Sequence, residues 1–185
     1  MPVQLTQKER MYLQDAKSQE ELCIAKYNHY SSIVQSPQLK QILQWAGQQE
    51  THHHQTISDL LQGRTPQMGG SGQTTTVNQI ISQFATGASM SAGTRGRTSG
   101  GQQTQGQSMM ASNTQFTGQG GLSDQQICQD LLSTEKAVSD MYDHAVFEAS
   151  SLPLRQAFNH IQKEEQEHAF ALFKYMEQMG WYQPQ

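Results

Sequence analysis

The sequence predicts an all-α protein, an antiparallel four-helix bundle made of two repeated helical hairpins joined by a long crossover. Three observations predict it. Apolar residues recur at intervals of three and four, prolines and glycines break this pattern at matching places, and two similar blocks flank a segment of different composition. The predicted organisation is a first hairpin at 5–62, a flexible crossover at 63–121 and a second hairpin at 122–180.

Composition excludes several classes of function. The chain has 185 residues, of which 35% are hydrophobic and 15% charged, and its net charge is −4. This charge is the opposite of a nucleic-acid footprint, which needs clustered Lys and Arg. The longest apolar run, 169–173, is far too short for a membrane span, and the first residues lack the pattern of a secretory signal. We therefore expect synthesis in the cytoplasm without a signal peptide, with Cys23 and Cys128 as reduced core residues.

The middle segment reads as a largely disordered linker. Residues 63–121 contain no Asp or Glu and are rich in Gly, Ser, Thr and Gln, the last of which occurs 31 times in the whole chain. Such a segment buries too little apolar surface to offset an ordering cost of about 1 to 2 kcal/mol per residue. The exception is 76–85, whose apolar residues have helical spacing and which either forms a short docked helix or does not.

Helix boundary signals occur in equivalent positions of the two blocks. Each block opens with a capping box, contains a proline in the first turn of its second helix, and closes with a glycine. Four helices of about 26 to 30 residues result, each about 40 Å long. The signals are Thr6-x-x-Glu9 and Ser123-x-x-Gln126, then Pro37 and Pro153, then Gly63 and Gly180.

The two blocks also repeat each other. Residues 14–62 align with 129–177 without gaps at an offset of 115, and eleven of the 49 aligned positions are identical. The identities are few, but they include most of the residues with chemical potential. The repeat indicates two copies of one hairpin.

Each predicted helix carries a buried stripe, the row of residues spaced alternately by three and four that faces the bundle axis. The stripes are apolar or aromatic apart from six residues. These exceptions are Glu20, Glu50, His53, Glu135, Glu165 and His168.

Four carboxylates on one level of a bundle must be neutralised, because each unpaired one costs several kcal/mol and they repel one another. Two divalent cations would balance four ionised Glu, and the neutral imidazoles would add two metal ligands. Protonation would also neutralise the site but would leave the imidazoles without that role. A bundle that has lost its metal, or an accidental phase of the pattern, is the alternative reading.

The spacing favours a dinuclear site. In Glu50-x-x-His53 and Glu165-x-x-His168, both side chains of a pair lie on one helix face and can reach the same ion. Glu20 and Glu135 would then bridge the ions or complete their coordination. One Glu from each of two helices and Glu-x-x-His from the other two is the di-iron or di-manganese arrangement of bundles. We therefore predict two divalent ions, Fe or Mn.

Other polar residues near the stripes have more ordinary readings. Tyr27 and Tyr142 lie two turns beyond a predicted ligand, so their hydroxyls would either hydrogen-bond a ligating carboxylate or be satisfied elsewhere in the core. Trp181 and Tyr182 would either fold back over the bundle end or offer an apolar contact to a partner. A further group is expected to face solvent: His29, His144, His52, His54, Glu164 and Glu167.

These residues resemble those of ferritin-like proteins and, more narrowly, of the bacterial spore coat protein F (Coat F) family. The segments similar to that family's second half are Asp124 to Glu135 (DQQICQDLLSTE), Asn159 to His168 (NHIQKEEQEH) and the ending Gly180-Trp-Tyr. The first half, from Leu5 through Glu50, is similar to its amino-terminal pair. The resemblance covers about two thirds of the chain and leaves the linker out.

The resemblance implies a component of the endospore coat, with an up-down hairpin, a long crossover and a second hairpin. Its partners would be other coat proteins, and it would be a possible homo-oligomer. Three functions stay open at this point. The chain is a coat component with a dinuclear Fe or Mn site, a di-metal oxidoreductase acting on peroxide or oxygen (catalase, peroxidase or ferroxidase type), or a purely structural coat protein whose Gln-rich linker and lysines serve contacts or crosslinking.

Overall fold

A computed structural model describes residues 3–66, 79, 81–82 and 121–184 of the chain. In these residues the secondary structure consists of four long helices and a helical stretch at 79 and 81–82, with no strand. The all-helical prediction is confirmed, and the lengths of 25 to 27 residues are close to those expected. The long helices are α1 (Gln7–Ile33), α2 (Pro37–Leu61), α3 (Asp124–Glu148) and α4 (Leu152–Gln178).

The predicted boundary signals determine where the helices begin and end. Thr6 and Ser123 form capping boxes with Glu9 and Gln126, in which each side chain binds the other residue's backbone N–H. Proline occupies the first turn of α2 and of α4, where its missing N–H leaves no helical hydrogen bond unmade. Gly63 and Gly180 follow α2 and α4 with φ of +72°, a conformation that glycine adopts without a Cβ clash.

The helices form two hairpins that pack in antiparallel fashion. α1 packs most closely on α2 and α3 on α4, while the contacts between α1 and α3 and between α2 and α4 join the hairpins. The start of α3 lies beside the end of α1, because Asp124 accepts hydrogen bonds from the backbone N–H groups of Gln35 and Ser36, both at 3.0 Å. The end of α2 lies at the other end of the bundle, where the Val3 N–H donates to the Gly63 carbonyl at 2.9 Å. The residues that a crossover must join therefore lie at opposite ends of the bundle.

A second set of hydrogen bonds between the hairpins lies at the opposite end of the bundle from those of Asp124. Glu9 accepts hydrogen bonds from the backbone N–H and the hydroxyl of Ser150 at 2.7 and 2.8 Å, and its other oxygen accepts from the N–H and hydroxyl of Thr6. Burial alone would raise the pKa of Glu9, but these hydrogen bonds outweigh it and the pKa lies below its ordinary value. The ionised carboxylate thus ties α1 to the loop between α3 and α4.

We expect Glu9→Gln to lower the free energy of unfolding at pH 7 by about 1 to 3 kcal/mol, because an amide offers only one acceptor oxygen to four donors. Since the folded pKa of Glu9 is depressed, the ionised group stabilises the fold above its unfolded pKa near 4.5. This contribution is lost as the pH falls through the folded value. Urea unfolding at several pH values measures the difference between the two proteins, and a difference that stays constant down to pH 3 would contradict the assignment.

The core consists of two apolar clusters, one in each half of the bundle. Both clusters contain residues of all four helices. The first includes Tyr27, Ala46, Leu132 and Ala171, and the second includes Cys23, Ile57, Val138 and Phe158. Along α2, α3 and α4 the polar residues predicted within the buried stripes lie between these clusters, whereas on α1 Glu20 lies within the second cluster, between Ala16 and Cys23. The two cysteines are buried and free, as expected.

Some predictions concern residues beyond these elements. Most of the predicted crossover 63–121, including most of the predicted helix 76–85, lies outside the described residues. At the carboxyl end, Trp181 packs edge-on against Tyr175 with a ring distance of 5.7 Å, and Tyr182 lies against Phe173. Of the two alternatives for this end, the aromatic residues fold back onto the bundle. Among the described helices, none is long and apolar enough for a membrane crossing.

Candidate metal centre

The six polar residues of the buried stripes meet in the middle of the bundle. Each of the four helices contributes a glutamate, and α2 and α4 each add a histidine one turn later. All are buried, and the most accessible of them, His53, is only 2% exposed. The residues brought together are Glu20, Glu50, His53, Glu135, Glu165 and His168, as the sequence predicted.

Their ligand atoms form two overlapping groups, and within each group these atoms lie within 4.8 Å of one another. Glu50 and Glu165 belong to both groups. The first group adds Glu20 and His53, and the second adds Glu135 and His168. The geometry thus offers two adjacent positions for a cation with two carboxylates in common.

Glu50 and Glu165 each lie near both imidazoles, whose ring centroids are 5.6 Å apart. Glu50 places Oε1 3.0 Å from Nδ1 of His168 and Oε2 3.4 Å from Nδ1 of His53. Glu165 places Oε1 2.9 Å from Nδ1 of His53 and Oε2 3.7 Å from Nδ1 of His168. Each carboxylate therefore presents one oxygen to each position, which is the geometry of a bridging group.

Glu20 and Glu135 each face a single position. Oε2 of Glu20 lies 3.6 Å from Nδ1 of His53, and Oε2 of Glu135 lies 3.6 Å from Nδ1 of His168. Each of these two carboxylates therefore presents Oε2 to one position only.

The remaining oxygens of Glu20 and Glu135 are held by tyrosines from the other hairpin. The Tyr142 hydroxyl donates to Oε1 of Glu20, and the Tyr27 hydroxyl donates to Oε1 of Glu135. Both tyrosines are buried, so these hydroxyls are satisfied by the carboxylates rather than elsewhere in the core. The tyrosines fix the orientation of both carboxylates and link α1 to α3 at the level of the cluster.

The inward atoms of the cluster lack hydrogen-bond partners. These atoms are Oε2 of Glu20, both oxygens of Glu50 and of Glu165, Oε2 of Glu135 and Nδ1 of each histidine. Several lie about 3 Å apart, but without the geometry of a hydrogen bond. Buried polar atoms are nearly always paired, so this many orphans directed at a common space is unusual. The buried carboxylate and imidazole groups are thus able to hold a metal ion.

The pKa values of the buried side chains are shifted because the charged groups lie close together away from water. Burial, together with Glu50 and Glu135, raises the pKa of Glu165 well above its ordinary value, and burial raises that of Glu20 to about 7. Burial alone would lower the pKa of His53 and His168, but the surrounding carboxylates raise both. Although burial alone would raise the pKa of Glu50, the imidazoles in turn lower it, so the six side chains interact strongly with one another.

Glu164 was expected to face solvent, and this prediction is wrong. Its side chain is buried, and Oε2 lies 2.7 Å from Nε2 of His53, the ring nitrogen that faces away from the cluster. Its Oε1 lies 3.1 Å from Nε2 of His160, which is partly exposed. A carboxylate at this position accepts a proton from Nε2 of His53 and orients the ring so that Nδ1 faces the cluster.

The two histidines have different surroundings although their hairpins repeat. At the offset of 115 residues, Gln49 and Trp45 of α2 occupy the positions of Glu164 and His160 of α4. Trp45 contacts His168 edge-on at a ring distance of 5.1 Å. One imidazole thus has an anionic carboxylate beyond it, while the other packs against an indole.

The other polar residues singled out in the sequence lie away from the cluster. His29, His52 and His144 are exposed, as expected, and His54 and Glu167 are half-buried. Nε2 of His54 lies 3.2 Å from Oε1 of Glu21 on α1, outside the group of six.

Comparison with known proteins identifies a family for the second half. Residues 123–185 match the family model of the Coat F domain. No curated protein and no solved structure matches the chain. The matched segment contains Glu135, Glu165 and His168, while Glu20, Glu50 and His53 lie before it.

Proposed function

We propose that this chain, whose residues 123–185 match the Coat F domain, is a member of the spore coat protein F family and binds two divalent metal ions in its bundle. The family supports a place in the spore coat, and the buried carboxylate and imidazole groups support a capacity to hold metal. Two antiparallel hairpins, whose joined ends lie at opposite ends of the bundle, support our interpretation of the fold as ferritin-like. Its partners in this role are other coat proteins.

The single observation that carries the proposal is the set of unpartnered, buried donor atoms that share one space. In the proposed site, Glu50 and Glu165 bridge the ions, Glu20 and His53 complete one, and Glu135 and His168 complete the other. Four ionised glutamates carry four negative charges, which two divalent ions neutralise. No equally buried Lys or Arg is available for this among the described residues.

The ligand types favour iron or manganese. Oxygen atoms outnumber nitrogen atoms, and no thiolate belongs to either group of ligands. Structural zinc sites are usually tetrahedral with several Cys or His ligands, whereas carboxylate-rich sites with one imidazole per ion suit Fe and Mn. Elemental analysis of protein purified without a tag tests the proposal, and close to two Fe or Mn per chain is the expected result.

A second candidate function, oxidoreductase activity on peroxide or oxygen, is favoured by the number of donors. Each proposed position has one imidazole, one carboxylate of its own and one oxygen from each of two shared carboxylates. Octahedral coordination would leave room for a small oxygen ligand on each ion. When bound, a pair of ions would supply redox chemistry. The chain's own residues would hold the ions at a short separation, orient the terminal carboxylates through Tyr27 and Tyr142, and exclude bulk water.

This candidate predicts that metal-loaded protein releases one O₂ for every two H₂O₂ consumed, and that Glu50→Gln with Glu165→Gln abolishes the release. An oxygen electrode measures it, with the protein stripped by chelator as the reference. Protein that holds two ions per chain but evolves no O₂ excludes the peroxide disproportionation and leaves the metal-binding coat component.

The unequal surroundings of the two histidines predict unequal ion affinities. Glu164→Gln removes the charge behind His53 but keeps an acceptor oxygen, so the fold should persist while this imidazole becomes a weaker ligand. We expect a loss of about 10- to 100-fold in affinity for one ion and little change for the other. Stepwise titration with Mn²⁺ followed by electron paramagnetic resonance measures both constants.

A matched control for this titration is Glu167→Gln, which removes a neighbouring charge on α4 that lies outside the cluster. It should titrate like the wild type. Equal weakening of both ions in Glu164→Gln would contradict the assignment of Glu164 to His53 rather than to His168.

A further inference from the structure

We propose that divalent cations enter the centre through a pocket between α3 and α4, a step that rests on the metal-binding function proposed above. The cavity has a volume of about 310 Å³ and lies on the side of the second hairpin. Its principal lining residues are Glu135, Glu165, Ser139, Asp140, Asp143 and Ala169.

The pocket runs from the surface to the cluster. Asp140 and Asp143 are exposed at its outer side, whereas Glu135 and Glu165 are fully buried at its inner side. Oε2 of Glu135 and both oxygens of Glu165 have no hydrogen-bond partner. The pocket is therefore lined at its inner side by two glutamates whose unpartnered oxygens are buried behind this wall, and these oxygens offer acceptors and no donor to a cation that enters.

The charges along the pocket favour positive ions. Four carboxylates line it, against the single ammonium group of Lys136. A cleft lined by one sign of charge concentrates the opposite ion and raises its association rate. Two hydrogen bonds cross the pocket, from Gln162 to Asp143 at 3.1 Å and from Gln166 to the Ser139 hydroxyl at 3.5 Å. These partners are exposed or partly exposed side chains, so their rearrangement opens the route without moving a helix.

The corresponding face of the first hairpin lacks the serine and the two aspartates of this route. At the repeat offset, Ile24, Ala25 and Asn28 replace Ser139, Asp140 and Asp143. Ala169 is replaced by His54, whose ring reaches across to Glu21 on α1. Entry is therefore assigned to the second hairpin alone.

The helices of the first hairpin lie close together on this face. Gly47 occupies the position of Gln162, and a Cβ added at Gly47 would lie only 3.1 Å from Cβ of Tyr27. This close approach leaves no room for a side chain such as the glutamine that lines the pocket.

The rate of ion uptake tests whether the charges of Asp140 and Asp143, at the outer side of the pocket, attract the ions. Metal-free protein is mixed rapidly with Co²⁺, and the visible absorption of the bound ion is followed. We expect Asp140→Asn with Asp143→Asn to slow loading about tenfold at low ionic strength, with the difference disappearing in high salt, while the final content stays at two ions. The matched control is Asp15→Asn, because Asp15 lines a separate cavity of about 410 Å³ that contains none of the six candidate ligands.

A second variant tests whether filling the pocket slows the entry of ions. Ala169→Leu should slow loading at every salt concentration, whereas His54→Ala on the opposite hairpin should not. Wild-type loading rates in both Asp140→Asn with Asp143→Asn and Ala169→Leu, with two ions bound at equilibrium, overturn the route and leave the proposed function intact. Wild-type protein that binds no Co²⁺ overturns both proposals.

Discussion

Protein with Glu50→Gln and Glu165→Gln is expected to retain almost none of the two metal ions bound per wild-type chain. Each of these carboxylates presents one oxygen to both histidines, so the double substitution removes two donors from each position. It also removes two of the four charges that the ions neutralise. Glutamine keeps the size of the side chain, so the bundle packing is preserved. Elemental analysis after purification without a tag measures the content.

The matched control replaces two exposed acids, Glu21→Gln and Glu148→Gln, whose side chains are 58% and 44% exposed. This pair removes the same formal charge without touching the cluster, and it should retain two ions. Equal metal content in the cluster variant and the control would show that the ions bind elsewhere on the protein.

Metal ions are also expected to raise the unfolding temperature by about 10 °C or more. An ion present at a thousand times its dissociation constant stabilises the state that binds it by about 4 kcal/mol. Each kcal/mol corresponds to about 2 to 4 °C for a chain of this size. The physical reason is that the ions neutralise buried carboxylates whose charge otherwise opposes folding. Thermal unfolding with Mn²⁺ or with a chelator measures the shift.

The order of stabilities reverses without metal. Glu50→Gln with Glu165→Gln removes buried charges, so in chelator this variant should unfold at the same temperature as the wild type or higher. In Mn²⁺ it should unfold at a lower temperature than the wild type. A variant that is much less stable than the wild type under both conditions would indicate that the carboxylates stabilise the bundle without ions.

The bundle and its polar cluster could be predicted from sequence because both depend on periodicity. The alternate spacing by three and four predicted a buried stripe on α2 and on α4, and all residues of these two stripes are buried, including Glu50 and Glu165. Caps and prolines are local signals, so the starts of all four helices were also predictable. The repeat added the link between the two Glu-x-x-His pairs.

The role of Glu164 could not be predicted because it depends on the other hairpin. Its position lies beside the buried stripe of α4, and only the packing of α2 against α4 covers it with His53. The available signal was a third acidic residue directly before Glu165, which has no acidic counterpart at Gln49. The approach of Glu50 and Glu165 to both histidines likewise depends on how the helices are rotated about their axes. The spacing of residues along a helix does not determine this rotation.

The two hairpins contribute equivalent residues to the cluster but surround them differently. Both supply a glutamate, a Glu-x-x-His pair and a tyrosine, and the tyrosines are exchanged between hairpins. Among the described residues, the buried Glu164 and the acidic pocket belong to the second hairpin. The repeat therefore builds a symmetric set of ligands with unequal surroundings.

Anomalous X-ray diffraction at the iron and manganese absorption edges tests the central claim most directly. Crystals of untagged protein should show two peaks about 3.5 to 4 Å apart, flanked by Glu50 and Glu165 and each beside one of the two histidines. A single peak, peaks at the protein surface, or none in crystals grown with both metals would contradict a dinuclear centre in this bundle.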